Sequence, residues 1–121
     1  MELKMSRNQS ESQLQSKIIK NARAQGVYIY KNAQNIYTER GRPDLTACVP
    51  TTTSKLLQMF GPDFKIGVFV GLELKREGHL NEVSDAQQIV GRQIQDAGGF
   101  WFAIDDADVV DALIRRFSDD V

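Results

Sequence analysis

An α/β fold is what the sequence predicts, and three features carry that prediction. Two segments, 11–25 and 84–97, repeat apolar residues at helical spacing and are each followed by glycine. The run from Gly67 to Lys75 alternates apolar and other residues with a period of two. Three further runs, 27–31, 45–49 and 100–104, are rich in β-branched and aromatic residues and read as strands. At 121 residues the chain is the size of one domain with a real core. Residues 1–10 are read as a disordered polar tail and 11–121 as that single domain.

Ser10 with Gln13 three residues on is a capping pattern, so the first helix is expected over 11–25, stopped by Gly26. Leu14, Ile18 and Ala22 form its apolar stripe, and Glu11 falls on the same stripe, which turns it toward the core side. The competing reading of Glu11 is a first-turn acid favoured by the helix dipole. Val27–Lys31 and Leu45–Val49 follow as strands, joined by a polar connection from Asn32 to Pro43, and Asp44 starts or immediately precedes the second strand.

Pro50 to Lys65 is long for a connection and holds Leu56, Leu57, Met59 and Phe60. Such a stretch is functional, covered by a partner, or a short helix packed on its own domain.

In the Gly67–Lys75 strand, Val68, Val70, Leu72 and Leu74 share one face, while Phe69, Gly71, Glu73 and Lys75 share the other. Both faces look covered, and a covered face that ends in Glu and Lys needs a reason. Their Cα atoms are roughly 6.6 Å apart on an ideal strand, close enough for an acidic metal ligand and an ammonium to address one phosphate and its attacking water. On an exposed strand the same triplet would be a solvated ion pair of little consequence.

After a polar turn from Arg76 to Val83, a second helix opens at Ser84 and runs to Ala97, ended by Gly98 and Gly99. Gln87, Val90, Gly91 and Ile94 share a face, so Gln87 points inward. Phe100–Ile104 is a strand, and Asp105 or Asp106 caps a last helix bearing Val109, Val110, Leu113 and Phe117. The acids at 105, 106, 108 and 111 lack the glycine that a calcium loop needs and read as a solvated helix start.

Composition narrows the function classes. One Cys and one His nearly exclude zinc, and Cys48 in its β-like run reads as a small buried hydrophobe. No run approaches the roughly 20 apolar residues of a membrane helix, and Met1 to Glu11 lacks the apolar centre of a secretory signal, so cytoplasmic residence is expected. The near-neutral total hides an asymmetry: the first 60 residues hold nine Lys or Arg against four acids, net +5, and the remainder six against twelve, net −6. Lys17, Lys20, Arg23, Lys31, Arg40 and Arg42 are therefore either a phosphate-facing surface or ordinary solvated residues.

Taken in order, Glu11 on a first helix, Gly41-Arg42-Pro43-Asp44-Leu45, Glu73-Leu74-Lys75, and Ser84-Asp85-Ala86-Gln87 opening a helix that ends in Gly98-Gly99 resemble the VRR-NUC family, the virus-type replication-repair branch of the PD-(D/E)xK nucleases. The likeness spans about residues 11 to 104. It implies a restriction-endonuclease-like αβββαβ core, a mixed central sheet flanked by helices, and metal-dependent hydrolysis of DNA phosphodiesters. Stand-alone members, often phage-encoded, are homodimers that cut branched DNA such as Holliday junctions, so DNA, a second copy and no membrane are the expected partners, with residence in the host cytoplasm if the chain is phage-encoded.

On that resemblance Asp44, Glu73 and the main-chain carbonyl of Leu74 hold Mg2+ or Mn2+, whose preference is for oxygen donors. Lys75 serves the water or the phosphate, Glu11 a second ion or a water, and Gln87 orients Lys75 or the nucleophile. Lys31, Asn32, Arg40 and Arg42 flank the site as DNA-binding candidates. The segment from Pro50 to Lys65 is longer than the family's connection and bears on substrate-facing geometry and dimer contacts. The alternative from another class is a catalytically inactive DNA-binding or interaction module that keeps the fold. A restriction-like enzyme with base readout would need an added recognition element.

Overall fold

The computed structural model describes residues 10–35, 37 and 39–118, so the expected tail lies, apart from Ser10, outside the described residues. The chain is mixed α/β, with four α-helices and four strands among the described residues. The strands form two two-stranded sheets rather than one continuous ladder. The chain divides into two compact units, Met1–Pro50 and Thr51–Val121.

The first unit contains α1 (Glu11–Ala24), β1 (Tyr28–Lys31) and β2 (Leu45–Cys48). Ser10 and Gln13 form the expected reciprocal cap on α1, which satisfies two donors that a helix start leaves open. The helix ends through Gly26 at φ 81°, a conformation glycine adopts without steric cost. Val27 then donates back to the Ala22 carbonyl, 3.1 Å away, and the chain enters β1. The two strands pair antiparallel with Tyr28 opposite Cys48 and Lys31 opposite Leu45. Ile29 and Cys48 are buried, so Cys48 takes the place read for it as a small hydrophobe.

The second unit opens with α2 (Thr53–Phe60), followed by β3 (Val70–Leu74), a 3-10 turn (Leu80–Glu82), α3 (Asp85–Asp96), β4 (Phe100–Ile104) and α4 (Ala107–Ser118). Thr52 caps α2 through its hydroxyl, which accepts from the Lys55 amide at 3.1 Å. The long apolar connection is thus a helix. Leu57, Met59 and Phe60 nevertheless stay exposed, which removes the reading that the helix hides them in its own core. Phe60 stacks on Phe64 with ring centroids 4.5 Å apart, and an apolar groove of about 320 Å3 lies beside them, lined by Leu56, Leu57, Phe60, Phe64 and Ile66.

β3 and β4 pair parallel, Val70 opposite Phe100 through Leu74 opposite Ile104, with α3 as the crossover. The predicted face pattern holds. On one face Gly71 and Gly91 make room: a Cβ on Gly91 would come within 2.5 Å of the Trp101 ring, and one on Gly71 within 3.0 Å of Ile94. The indole therefore lies flush on α3. Ile94, Ala97 and Ile104 are buried. On the other face, Val68, Val70 and Leu72 share a groove of about 840 Å3 with Val110, Leu113, Ile114 and Phe117 of α4. That cover stops short of Leu74, which is 70 % exposed. Asp106 caps the start of α4 by accepting from the Asp108 amide at 2.9 Å, as expected of one of the two acids there. Asp105 is used differently, accepting from the Gly78 amide at 3.1 Å and so tying down the turn after β3.

Candidate functional site

Each unit brings part of the expected residue set into a defined arrangement. In the second unit, Glu73 and Lys75 lie along the α3-covered side of β3, and both are half-buried. The ladder holds their backbone: Glu73 pairs with Ala103, and the Lys75 amide donates to the Ile104 carbonyl at 2.8 Å. Neither side chain has a hydrogen bond or ion pair with another residue among those described. Half-buried charged side chains without a bonded partner give up hydration with no hydrogen bond in return.

Gln87 is half-buried, as the inward reading of its helix face requires. Its carbonyl oxygen, however, accepts from the Ser84 amide at 2.9 Å, while its own amide donates to the Ser84 hydroxyl at 3.2 Å. Gln87 thus closes a capping box, and only its side-chain NH2 remains for the role foreseen toward Lys75 or a nucleophile. The Ser-x-x-Gln spacing at 84–87 repeats that at 10–13 and is the signal that identifies this duty.

In the first unit Asp44 sits at the mouth of β2, exposed, one residue before the strand. Asn32 occupies the matching position after β1 and is only 4 % exposed. Its main-chain amide donates to the Asp44 carbonyl at 2.9 Å, extending the ladder by one step. Its side-chain NH2 donates to the Pro43 carbonyl and to the Thr46 hydroxyl, each at 2.8 Å, and its Oδ1 accepts from Arg42 Nη2 at 3.3 Å. The expected DNA-binding role of Asn32 therefore meets a side chain already fully committed within the protein. Thr46, half-buried within β2, belongs to this network and was not singled out from the sequence, because a strand threonine carries no local mark of such a duty.

Lys31, Arg40 and Arg42 are exposed, as phosphate-facing residues need to be. Glu11 is exposed in the first turn of α1 and not turned toward a core, contrary to its place on the apolar stripe. The stripe itself is shallow: α1 buries no residue fully and Ile18 is 41 % exposed, so a position at the helix start is left in solvent, where the dipole favours an acid.

Among the described residues no group of three or more His, Cys, Asp or Glu side chains is gathered to hold a metal ion. The foreseen ligands, the carboxylates of Asp44, Glu73 and Glu11 with the main-chain carbonyl of Leu74, are oxygen donors of the kind a hard cation such as Mg2+ takes. No described helix is long and apolar enough to cross a membrane. Comparison of the chain with protein-family models, with curated proteins and with solved structures finds no match.

Proposed function

We propose that the chain is a divalent-metal-dependent endodeoxyribonuclease with a PD-(D/E)xK core of the VRR-NUC kind, selective for branched DNA. The observation that carries this reading is the pair Glu73 and Lys75, half-buried on the covered side of β3, with no side-chain partner among the described residues. The ordered motifs that resemble the family, with Asp44 at the mouth of a strand, support it.

In this reading Asp44, Glu73 and the Leu74 carbonyl would hold Mg2+ or Mn2+, and Glu11 would hold a second ion or a water. A bound ion supplies Lewis acidity, lowering the pKa of a water and neutralising charge on the phosphate. Lys75 would donate from its ammonium to the phosphate oxygens or hold the attacking water as charge builds in the transition state. Gln87, through its remaining NH2, would orient that water. Lys31, Arg40 and Arg42 would meet DNA phosphates. The exposed Leu57, Met59 and Phe60 of α2 favour a second copy as partner, and two-fold pairing suits a substrate with two symmetric strands to cut.

Labelled linear, flap, single-stranded and four-way DNA incubated with Mg2+, Mn2+ or chelator tests the proposal. Metal-dependent nicking that is fastest on the four-way substrate is expected. Metal-independent DNA binding with no cleavage of any substrate would favour the inactive binding module instead. Light scattering is expected to give a dimer that Leu57→Asp with Phe60→Asp breaks.

A further inference from the structure

The Asn32 network points to a task that its expected role as a DNA contact does not describe. Two of its bonds bracket Asp44. The Pro43 carbonyl belongs to the peptide before the Asp44 Cα, and the Asp44 carbonyl to the peptide after it; Asn32 holds the first through its side-chain NH2 at 2.8 Å and the second through its main-chain amide at 2.9 Å. Rotation about φ of Asp44 would swing the first peptide relative to the Cα, and rotation about ψ would swing the second. With both carbonyls anchored to one buried residue, neither rotation is free, so the direction of the Asp44 Cα–Cβ bond is set even though its side chain is exposed. The Thr46 hydroxyl, accepting at 2.8 Å from the same NH2, keeps the amide group from turning over. With the amide so oriented, Oδ1 is left to accept from Arg42, which fixes that guanidinium two residues from Asp44.

We propose that Asn32 is a positioning residue: it aims the Asp44 carboxylate toward a divalent cation and parks Arg42 beside it, without itself touching metal or DNA. This deepens the nuclease reading and rests on it. The loop from Asn32 to Asp44 is polar and contains Gly41 at φ 81°, and a carboxylate carried on such a connection would otherwise sample many directions and lose the ligand precision a hard cation demands.

The test compares wild type with Asn32→Ala, Asn32→Asp and Thr46→Val. Asn32→Asp keeps size and the acceptor for Arg42 while removing both donations from Nδ2. For Asn32→Ala and Asn32→Asp the Mn2+ midpoint for cleavage is expected to rise about tenfold or more, the loss typical of removing a partner that orients a metal ligand, with most of kcat recovered at saturating Mn2+. Thr46→Val is expected to shift the midpoint in the same direction by less, and it stands in for Asn32→Ala should that variant not fold. NMR relaxation of the Asp44 amide, measured without metal or DNA, is expected to show greater mobility in Asn32→Ala and Asn32→Asp. A fall in activity that follows the folded fraction, with the Mn2+ midpoint unchanged, would overturn the proposal. So would weaker DNA binding in Ca2+ with an unchanged midpoint, because that result makes Asn32 a DNA contact. A wild type that neither binds Mn2+ nor cleaves DNA overturns the nuclease reading and the metal half of this proposal, and the NMR comparison still decides whether Asn32 pins Asp44.

Discussion

The corner around Asp44 and the end of β3 treat polar groups in opposite ways. At the corner, the buried Asn32 has its side-chain oxygen and NH2 both bonded to protein groups, and the exposed Asp44 is held through its backbone. At the end of β3, Glu73 and Lys75 are half-buried and their side chains are bonded to none of the described residues. A buried amide with every bond made stabilises and orients; half-buried charges with none made cost stability. The Asn32 amide at the first place serves the fold, and at the second no described residue engages the charged side chains.

That contrast is broken most forcefully by removing charge. Asp44→Asn and Glu73→Gln conserve volume, and each is expected to lower cleavage at least about 1,000-fold, the scale of several kcal/mol of lost transition-state stabilisation, while folding and DNA binding persist. Gel assays with circular dichroism on both variants check this; retained Mg2+-dependent cleavage in both would remove the assignment of the two acids. Lys75→Ala is expected to lose about 100-fold or more in rate while still binding metal, because its ammonium serves the phosphate and the water. Calorimetry in which its Mn2+ affinity collapses as far as that of Asp44→Asn would contradict that division of labour.

Stability variants sharpen the other side of the comparison. Gly91→Ala would push a methyl to within 2.5 Å of the Trp101 ring, a rigid neighbour that cannot swing away, and is expected to destabilise by about 1–3 kcal/mol in urea unfolding. Ser84→Ala breaks the capping box on α3 and is expected to cost about 1 kcal/mol. It also releases the Gln87 side chain, so a change in cleavage larger than the loss of folded protein would show that Gln87 acts through its anchored position.

The smallest effect expected is in alkaline stability. Tyr28 and Cys48 stand opposite each other on β1 and β2. Burial raises the Tyr28 hydroxyl above its ordinary 10.0, helped by repulsion from Tyr30 and opposed by Arg23, and burial raises the Cys48 thiol above 9.0. The folded form therefore holds these protons more tightly than the unfolded chain does. Their contribution is complete below about pH 9 and is lost as pH rises through the raised values. Thermal melts from pH 8 to 11 should show this decline, reduced in Cys48→Ala.

Much of the local structure was legible because its causes are local. Caps at Ser10 and Ser84, the stop at Gly26 and the whole of β4 follow from turn chemistry and periodicity. The start of β3 did not follow. Val68 and Phe69 fit the alternation, yet the strand begins at Val70, because pairing begins where β4 offers Phe100 after the Gly98–Gly99 turn. The candidate residues were found by charge and spacing, but their duties needed the fold. Asn32 and Thr46 are fourteen positions apart in the chain, and only the antiparallel register brings one beside the other. Read by its place in a polar loop, Asn32 is a DNA-binding candidate; its burial and its bonds to Pro43, Thr46 and Arg42 are visible only in the fold.

The parallel pairing of β3 with β4 also sets a schedule for synthesis. Val70 pairs with Phe100 and Leu74 with Ile104, so each residue of β3 finds its ladder partner thirty positions later in the chain. At typical ribosomal speeds of about 5–20 residues per second that is a wait of roughly 2–6 s. The β1–β2 ladder has all its residues by Cys48, before the first residue of β3 is made. The corner that holds Asp44 therefore closes within one short stretch of chain, whereas the strand bearing Glu73 has no ladder until a segment thirty positions further on has been made.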